Sequence, residues 1–317
     1  MTAVTDMDGI NGFAVDLGGT KLAAARVEHG RVVERIQNVT EAEAPADKQV
    51  EAIEALLRKI GWNHSYPVSV AVAGRVSDDG TWSAVNTGTL TSIADIPIKA
   101  LLTHQLNTDV YVCNDANAAA FAEASFGSGV GVSHFAYITV STGVGGGIVI
   151  EGKPLTSANG LAGHVGFVSS RFSTAICGSG RRSTVESVAG GRAISAIAQE
   201  QGHGVATARE VFDAAAGGNE WAQTIIETSA QAIAALCSDL TAIFGLDMVA
   251  LGGSIGMAPG YIASVERHLK CEPALFRPKI AAADFSHDSA LIGVIALSQS
   301  SKRTEKRHTI RCNGVSE

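Results

Sequence analysis

Apolar residues along this chain recur in two rhythms, and the two alternate. Apolar runs that stop at or near a turn residue occupy residues 12–27 (GFAVDLGGTKLAAARV), 67–74 (PVSVAVAG), 110–113 (VYVC), 137–150 (YITVSTGVGGGIVI) and 247–256 (DMVALGGSIG). Short runs bounded by turn residues predict buried strands. Helical spacing lies between them: Val50, Ile53, Leu56, Leu57 and Ile60 recur within residues 47–61, with Asp47 placed to cap the start and Gly61 to end the helix. An alanine-rich helix is predicted from near Ala116, and one long helix over residues 219–244, closed by Gly245. Helix-type sequence also follows Glu186 as far as Gly202 and fills residues 261–269 and 288–298, the last apolar enough to be buried. Strands alternating with helices describe an α/β protein.

The bends between the apolar runs hold the candidate chemistry. In residues 137–150 the turn carries Gly143, Gly145, Gly146 and Gly147 behind Ser141 and Thr142. Without a Cβ the backbone can take positive φ and approach a ligand, and the hydroxyls add donors, so the turn suits phosphate; a plain glycine-rich hairpin is the alternative. Residues 12–27 repeat the arrangement, with Asp16 at the rim of the bend. Two such units facing each other could grip a polyphosphate, Thr20 donating to phosphate and Asp16 holding magnesium through water. Standing alone, DLGGTK reads as a tight hairpin whose Asp and Thr satisfy turn amides. Residues 247–256 form a third glycine turn.

Three further segments carry polar side chains at informative places. In residues 110–127 a strand hands over to a helix at Asn114 and Asp115, the usual ligand crevice of an α/β sheet. One of the two is expected to cap the helix, which leaves the other free. After Arg75 an Asp-Asp-Gly turn begins another extended piece, and residues 82–91 form either a loop over a pocket or a solvated loop. Residues 157–170 are glycine-rich around His164, whose imidazole satisfies local backbone or reads a ligand.

Composition narrows the partners. The 317 residues, 46% hydrophobic and 17% charged, suit about two compact domains. A net charge of −7 offers no overall attraction to nucleic acid or anionic membrane, so a small-molecule partner is expected. The first twelve residues hold no Lys or Arg and no apolar core, unlike a secretory or transit peptide, and no run approaches membrane-spanning length. Five scattered cysteines without a CxxC pair fit reduced thiols, and a cytoplasmic location is expected. The basic residues 301–317 are expected to form a solvated, disordered tail.

DLGGTK, NDANAAA, STGVGGG, GLAGHVG and LGGSIG, in this order and spacing, resemble the ROK family of sugar kinases and repressors over nearly all of residues 12–298. The resemblance implies an actin-like (ribonuclease H-like) fold of two α/β domains with ATP and sugar in the interdomain cleft. Residues 1–117 with 288–300 would form the smaller domain and residues 118–287 the larger. It implies ATP-dependent phosphorylation of a sugar 6-hydroxyl, with magnesium, by a homodimer. FAYITVSTGVGGGIV and NGLAGHVG are most similar to the branch acting on N-acetylmannosamine in amino-sugar or sialic-acid breakdown, with glucose or another N-acetylhexosamine as alternatives. A sugar-responsive regulator is the reading from another class; with fifteen residues ahead of Asp16, its helix-turn-helix is not expected there.

Matched position by position, the resemblance implies that Asp115 is the catalytic base and that Asn114 binds the neighbouring hydroxyls. His164 and Glu186 would contact the sugar, and Gly74, Arg75 and Thr87 would line its pocket; glucose-preferring relatives usually carry Glu where His164 stands. Asp16, Gly18, Gly19, Thr20, Lys21, Thr142, Gly143, Gly145 and Gly253 would hold nucleotide and magnesium. Most of the family also binds a structural zinc through one His and three Cys. The matching places here carry Phe167, Cys177, Ser179 and Thr184, too few donors for a closed site, so no structural zinc is expected and Phe167 is expected to brace the loop by packing.

Overall fold

A computed structural model describes residues 7–64 and 66–313, so residues 1–6 of the leader and 314–317 of the tail lie outside the described residues. The chain opens with an antiparallel meander, β1 (Gly12–Leu17), β2 (Lys21–Glu28) and β3 (Arg31–Val39), then α1 (Ala46–Lys59) and β4 (Val68–Val72). A small ribbon of β5 (Arg75–Val76) and β6 (Trp82–Ser83) precedes α2 (Ile98–Leu106), β7 (Val110–Asn114) and α3 (Asp115–Phe126). A second meander follows: β8 (His134–Val140), β9 (Val144–Ile150) and β10 (Lys153–Pro154). Four helices come next, α4 (Glu186–Ala189), α5 (Gly191–Glu200), α6 (Ala208–Ala216) and α7 (Glu220–Phe244). The chain closes with β11 (Met248–Gly252), α8 (Gly253–Gly256), α9 (Tyr261–Leu269), β12 (Lys279–Ala282) and α10 (Ser289–Asn313).

Among the described residues the strands outside the β5–β6 ribbon make two five-stranded sheets, ordered β3-β2-β1-β4-β7 and β10-β9-β8-β11-β12, each with an antiparallel meander and a parallel half. The outer face of the first sheet is covered by α1 and α2 around Phe13, Val15, Ile53, Leu57 and Trp82, and that of the second by α4 to α9 around Ile138, Ile233 and Leu251. Between the sheets lies a middle layer in which α10 packs on α3, on the first sheet through β1 and β4, and α3 on the second through β8 and β9. Its core is rich in alanine and admits close approach: a Cβ on Gly293 would stand 1.8 Å from the Ala118 carbonyl oxygen. In α1 the buried residues Val50, Ile53, Leu56 and Leu57 form one stripe, each contributing about 1.5–3 kcal/mol by leaving water.

Several expectations need correction. The cap of α1 is Pro45, whose ring fixes an extended entry, and Asp47 sits in the first turn, where its carboxylate meets the positive end of the helix. The last helix does not yield to a disordered tail at Ser301; it runs on to Asn313, because no Gly or Pro interrupts residues 301–313. Only Ser141–Gly143 form the central turn, since β9 already begins at Val144. None of Gly143, Gly145, Gly146 and Gly147 has positive φ. Their missing side chains serve packing instead: a Cβ on Gly147 would lie 2.6 Å from that of Ala120 in α3. Strands β3 and β12 and helices α2 and α6 were not anticipated. β3 is an edge strand with mostly exposed positions and so lacks a buried run to reveal it.

Candidate active site

The carboxyl ends of the parallel strands β1, β4 and β7 open onto a cleft of about 680 Å³ between the two sheets. From the first sheet come Asp16 near the end of β1, Gly18, Gly19 and Thr20 in the turn after it, Lys21 at the start of β2, Gly74 after β4, and Asn114 and Asp115 where β7 meets α3. From the second come Thr142 and Gly143 at the β8–β9 turn, Gly145 in β9 and Gly253 after β11. The two glycine turns face each other: the Thr20 and Thr142 hydroxyls stand 3.5 Å apart across 122 residues of sequence. Gly253 takes φ +82° beside that turn, where a Cβ would meet the Val140 carbonyl at 2.4 Å, and Ser254 Oγ lies 3.2 Å from Ser141 Oγ.

Asn114 and Asp115 divide their work as adjacent cap-type residues can. Asn114 is the helix cap: its Oδ1 accepts from the Asn117 N–H at 2.9 Å, while its amide donates to the Gly74 carbonyl and to Asp115 Oδ1, both at 2.9 Å. Asp115 Oδ1 also accepts from the Ala116 N–H at 2.8 Å. Burial raises the proton affinity of Asp115 above the ordinary carboxylate range, against the pull of these donors. Asp16 is raised too, first by burial and then by the Asp115 carboxylate, with Arg35 opposing. Asp16 Oδ1 is buried without a hydrogen-bond partner. A sunken carboxylate oxygen with no donor, beside Thr20 and Lys21, fits a hard cation accompanying a phosphate.

His164 and Glu186 also line the cleft. Burial lowers the basicity of His164, so its imidazole is neutral at pH 7, and Nε2 is buried without a partner. Its ring stacks on Phe167 at 6.2 Å between centroids. Glu186 is raised by burial while accepting the Asn86 amide on Oε1 at 2.8 Å and the Val144 N–H on Oε2 at 3.2 Å.

Phe167 contributes the stacking contact with His164, and hydrogen bonds tie the loop at the other positions matched to zinc ligands. Cys177 Sγ lies 2.9 Å from Ser179 Oγ, and Thr184 Oγ1 accepts from the Ser187 N–H at 3.2 Å. Ser187 Oγ donates to Ser173 Oγ at 2.9 Å, and Ser169 bridges to Thr184.

Two predicted residues stand outside the cleft wall. Arg75 is held by Asp95 at 2.9 Å and by the Asn159 carbonyl at 3.3 Å. Thr87 spends its hydroxyl and its N–H on the Gly178 carbonyl, each at 3.0 Å. Sequence reasoning missed Asn86, Arg35 and Arg192, which do line the cleft. Only the loop assignment for residues 82–91 pointed near one of them.

A model of the ROK family matches residues 12–301. The N-acetylmannosamine kinase of Escherichia coli (strain SE11) is 40% identical over 291 residues, covering 92% of this chain and 99% of that protein. The N-acetylmannosamine kinase of Haemophilus influenzae (strain PittEE) is 39% identical over 281 residues, 89% of this chain and 93% of that one. The crystal structure of a ROK family glucokinase from Streptomyces griseus in complex with glucose and AMPPNP superposes with a TM-score of 0.77 at 26% identity, covering 90% and 98% of the two chains.

Proposed function

The chain belongs to the ROK family and has its actin-like fold, and on that premise we propose that it moves the γ-phosphoryl group of ATP to the 6-hydroxyl of N-acetyl-D-mannosamine, in amino-sugar or sialic-acid breakdown. One observation carries the reading: a half-buried carboxylate, Asp115, shares a cleft with two facing glycine turns whose threonine hydroxyls stand 3.5 Å apart. Phosphoryl transfer asks for such positioning, with one base beside the attacking hydroxyl.

In this reading Asp115 takes the proton of the 6-hydroxyl, and its raised proton affinity suits the task. Asn114 holds Asp115 in place through the 2.9 Å bond. His164 and Glu186 face the sugar, while Thr20, Thr142 and the Gly253 turn donate to the nucleotide. Asp16 would hold magnesium through water; bound there, the ion supplies charge neutralisation for the phosphates. Residues 1–117 with 288–300 act as one domain and 118–287 as the other, a division supported by α10 packing on the first sheet and α3 on the second. We place the enzyme in the cytoplasm as a homodimer. No helix among the described residues is long and apolar enough to cross a membrane.

A coupled assay of ADP release across common hexoses and N-acetylhexosamines tests the reading. The highest kcat/KM is expected with N-acetylmannosamine, and glucose outperforming it would overturn the assignment.

The hydroxyl network at Thr184, Ser187 and Ser173 supports a sugar-side loop that folds without zinc. Metal analysis of the purified protein is expected to find no stoichiometric zinc, and a chelator to leave Tm unchanged. One zinc per chain, lost together with activity on chelation, would refute this.

A further inference from the structure

The loop of residues 84–91 belongs to the first sheet at its base and to the second at its tip. Its base is anchored by Trp82, fully buried with Nε1 donating to the Ala73 carbonyl at 2.8 Å, and by buried Leu90. Its tip crosses to the far side of the cleft on three tethers. Asn86 donates to Glu186 at 2.8 Å, Thr87 donates to the Gly178 carbonyl, and Arg192 donates at 3.0 Å to the Gly88 carbonyl and the Thr89 hydroxyl.

The first tether differs from the others because its far end is shared. Glu186 Oε2 accepts the N–H of Val144, the residue that leaves the phosphate turn, and a Cβ on Gly143 would stand only 2.4 Å from that oxygen. The Asn86 amide is itself held: Oδ1 accepts from the Gly88 N–H at 3.0 Å, which turns the NH₂ toward Glu186. A Cβ on Gly178 would fall 1.8 Å from that Oδ1, so the loop opposite is moulded onto this side chain. We propose that Asn86 is a positioning residue that fixes the Glu186 carboxylate across the cleft, and through it couples the sugar side to the phosphate turn at Ser141–Gly143. The inference rests on the kinase reading above, which makes those two sides the seats of sugar and nucleotide.

Glu186 is largely withdrawn from water, and the charged group acting on it is Arg192, which favours its ionised form. Removing the Asn86 donor leaves the carboxylate less satisfied, so it takes up a proton at higher pH. An Asp at the same place sets two carboxylates against each other, which at this distance ionise together only with difficulty and share a proton.

The experiment measures kcat and KM for the sugar from pH 6 to 8.5 in wild type, Asn86→Ala and Asn86→Asp, together with the Tm of each protein free of ligand. Sugar KM is expected to rise about tenfold or more in both variants, the scale of one lost bond to a charged group, with kcat changed less. The two variants should then part company with pH. Relative to wild type, kcat/KM of Asn86→Ala falls as pH drops, whereas that of Asn86→Asp recovers as a proton bridges the pair. The Tm deficit of Asn86→Asp should widen as pH rises. A loop that only fills space would give parallel, pH-independent losses, and flat ratios with flat Tm differences overturn the proposal. If the wild type phosphorylates no sugar while the Tm differences keep these signs, the kinase reading and the coupling fail, and Asn86 still positions Glu186.

Discussion

Asp115→Asn is expected to lower kcat by at least ~100-fold, the low end for loss of a general base, while sugar and nucleotide affinities stay within a few-fold of wild type. The substitution keeps the shape and the Oδ1 acceptor that meets the Ala116 N–H at 2.8 Å, so α3 should remain folded and capped by Asn114. What is lost is an atom able to take a proton. A pH profile adds a second reading of the same event. Because burial holds the proton affinity of Asp115 above the ordinary carboxylate range, the base is disabled by protonation nearer neutrality than an exposed Asp would be. The wild-type kcat/KM should therefore fall on the acid side at a correspondingly high pH, and the residual activity of Asp115→Asn should lack that limb. Turnover within a few-fold of wild type would reduce Asp115 to a structural residue.

His164→Glu should narrow or reverse the advantage of N-acetylmannosamine over glucose. A neutral imidazole offers one donor and one acceptor, whereas a carboxylate only accepts, so the exchange changes which sugar hydroxyls can be read. Nε2 already lies buried in the cleft wall without a partner, an atom whose isolation a substrate hydroxyl would relieve. Sites that pair a hydroxyl can reject an analogue unable to pair by up to ~10⁴-fold, so a shift of 10²-fold or more in the ratio of kcat/KM values is expected. The ring also stacks on Phe167, and loss of that contact alone would weaken all sugars alike. Steady-state kinetics on both sugars separate the two: equal losses assign His164 to bracing the loop, and a changed ratio assigns it to recognition.

The parts of the fold legible in the sequence were those whose signal is local. The long helix up to Phe244 ends where Gly245 takes φ +63°, and the strand-to-helix handover at Asn114 and Asp115 lies where the apolar run stops. The central glycine stretch was located correctly for a partly wrong reason: Ser141–Gly143 is the turn, but Gly147 is there to admit α3. Composition announces a close approach without saying what approaches. Arg75 and Thr87, matched to pocket positions, are absent from the cleft lining and are bonded to Asp95 and to the Gly178 carbonyl. Asn86 and Arg192 were invisible for a related reason. Each acts on a partner about a hundred residues away, and no spacing rule spans a loop laid across a cleft.

Gly293, where α10 crosses close over α3, bears on how the molecule is built over time. All five strands of the first sheet have been synthesised once Asn114 is made, but the helix that covers their inner face begins only at Ser289. At about 5–20 residues per second, that face waits on the order of ten seconds for its cover during translation. The residues left open meanwhile include Ala14, Ala25 and Ala71 alongside Val27 and Ile10. Small side chains that let α10 lie close in the finished protein also make the waiting surface a poor template for aggregation, because an alanine exposes little apolar area.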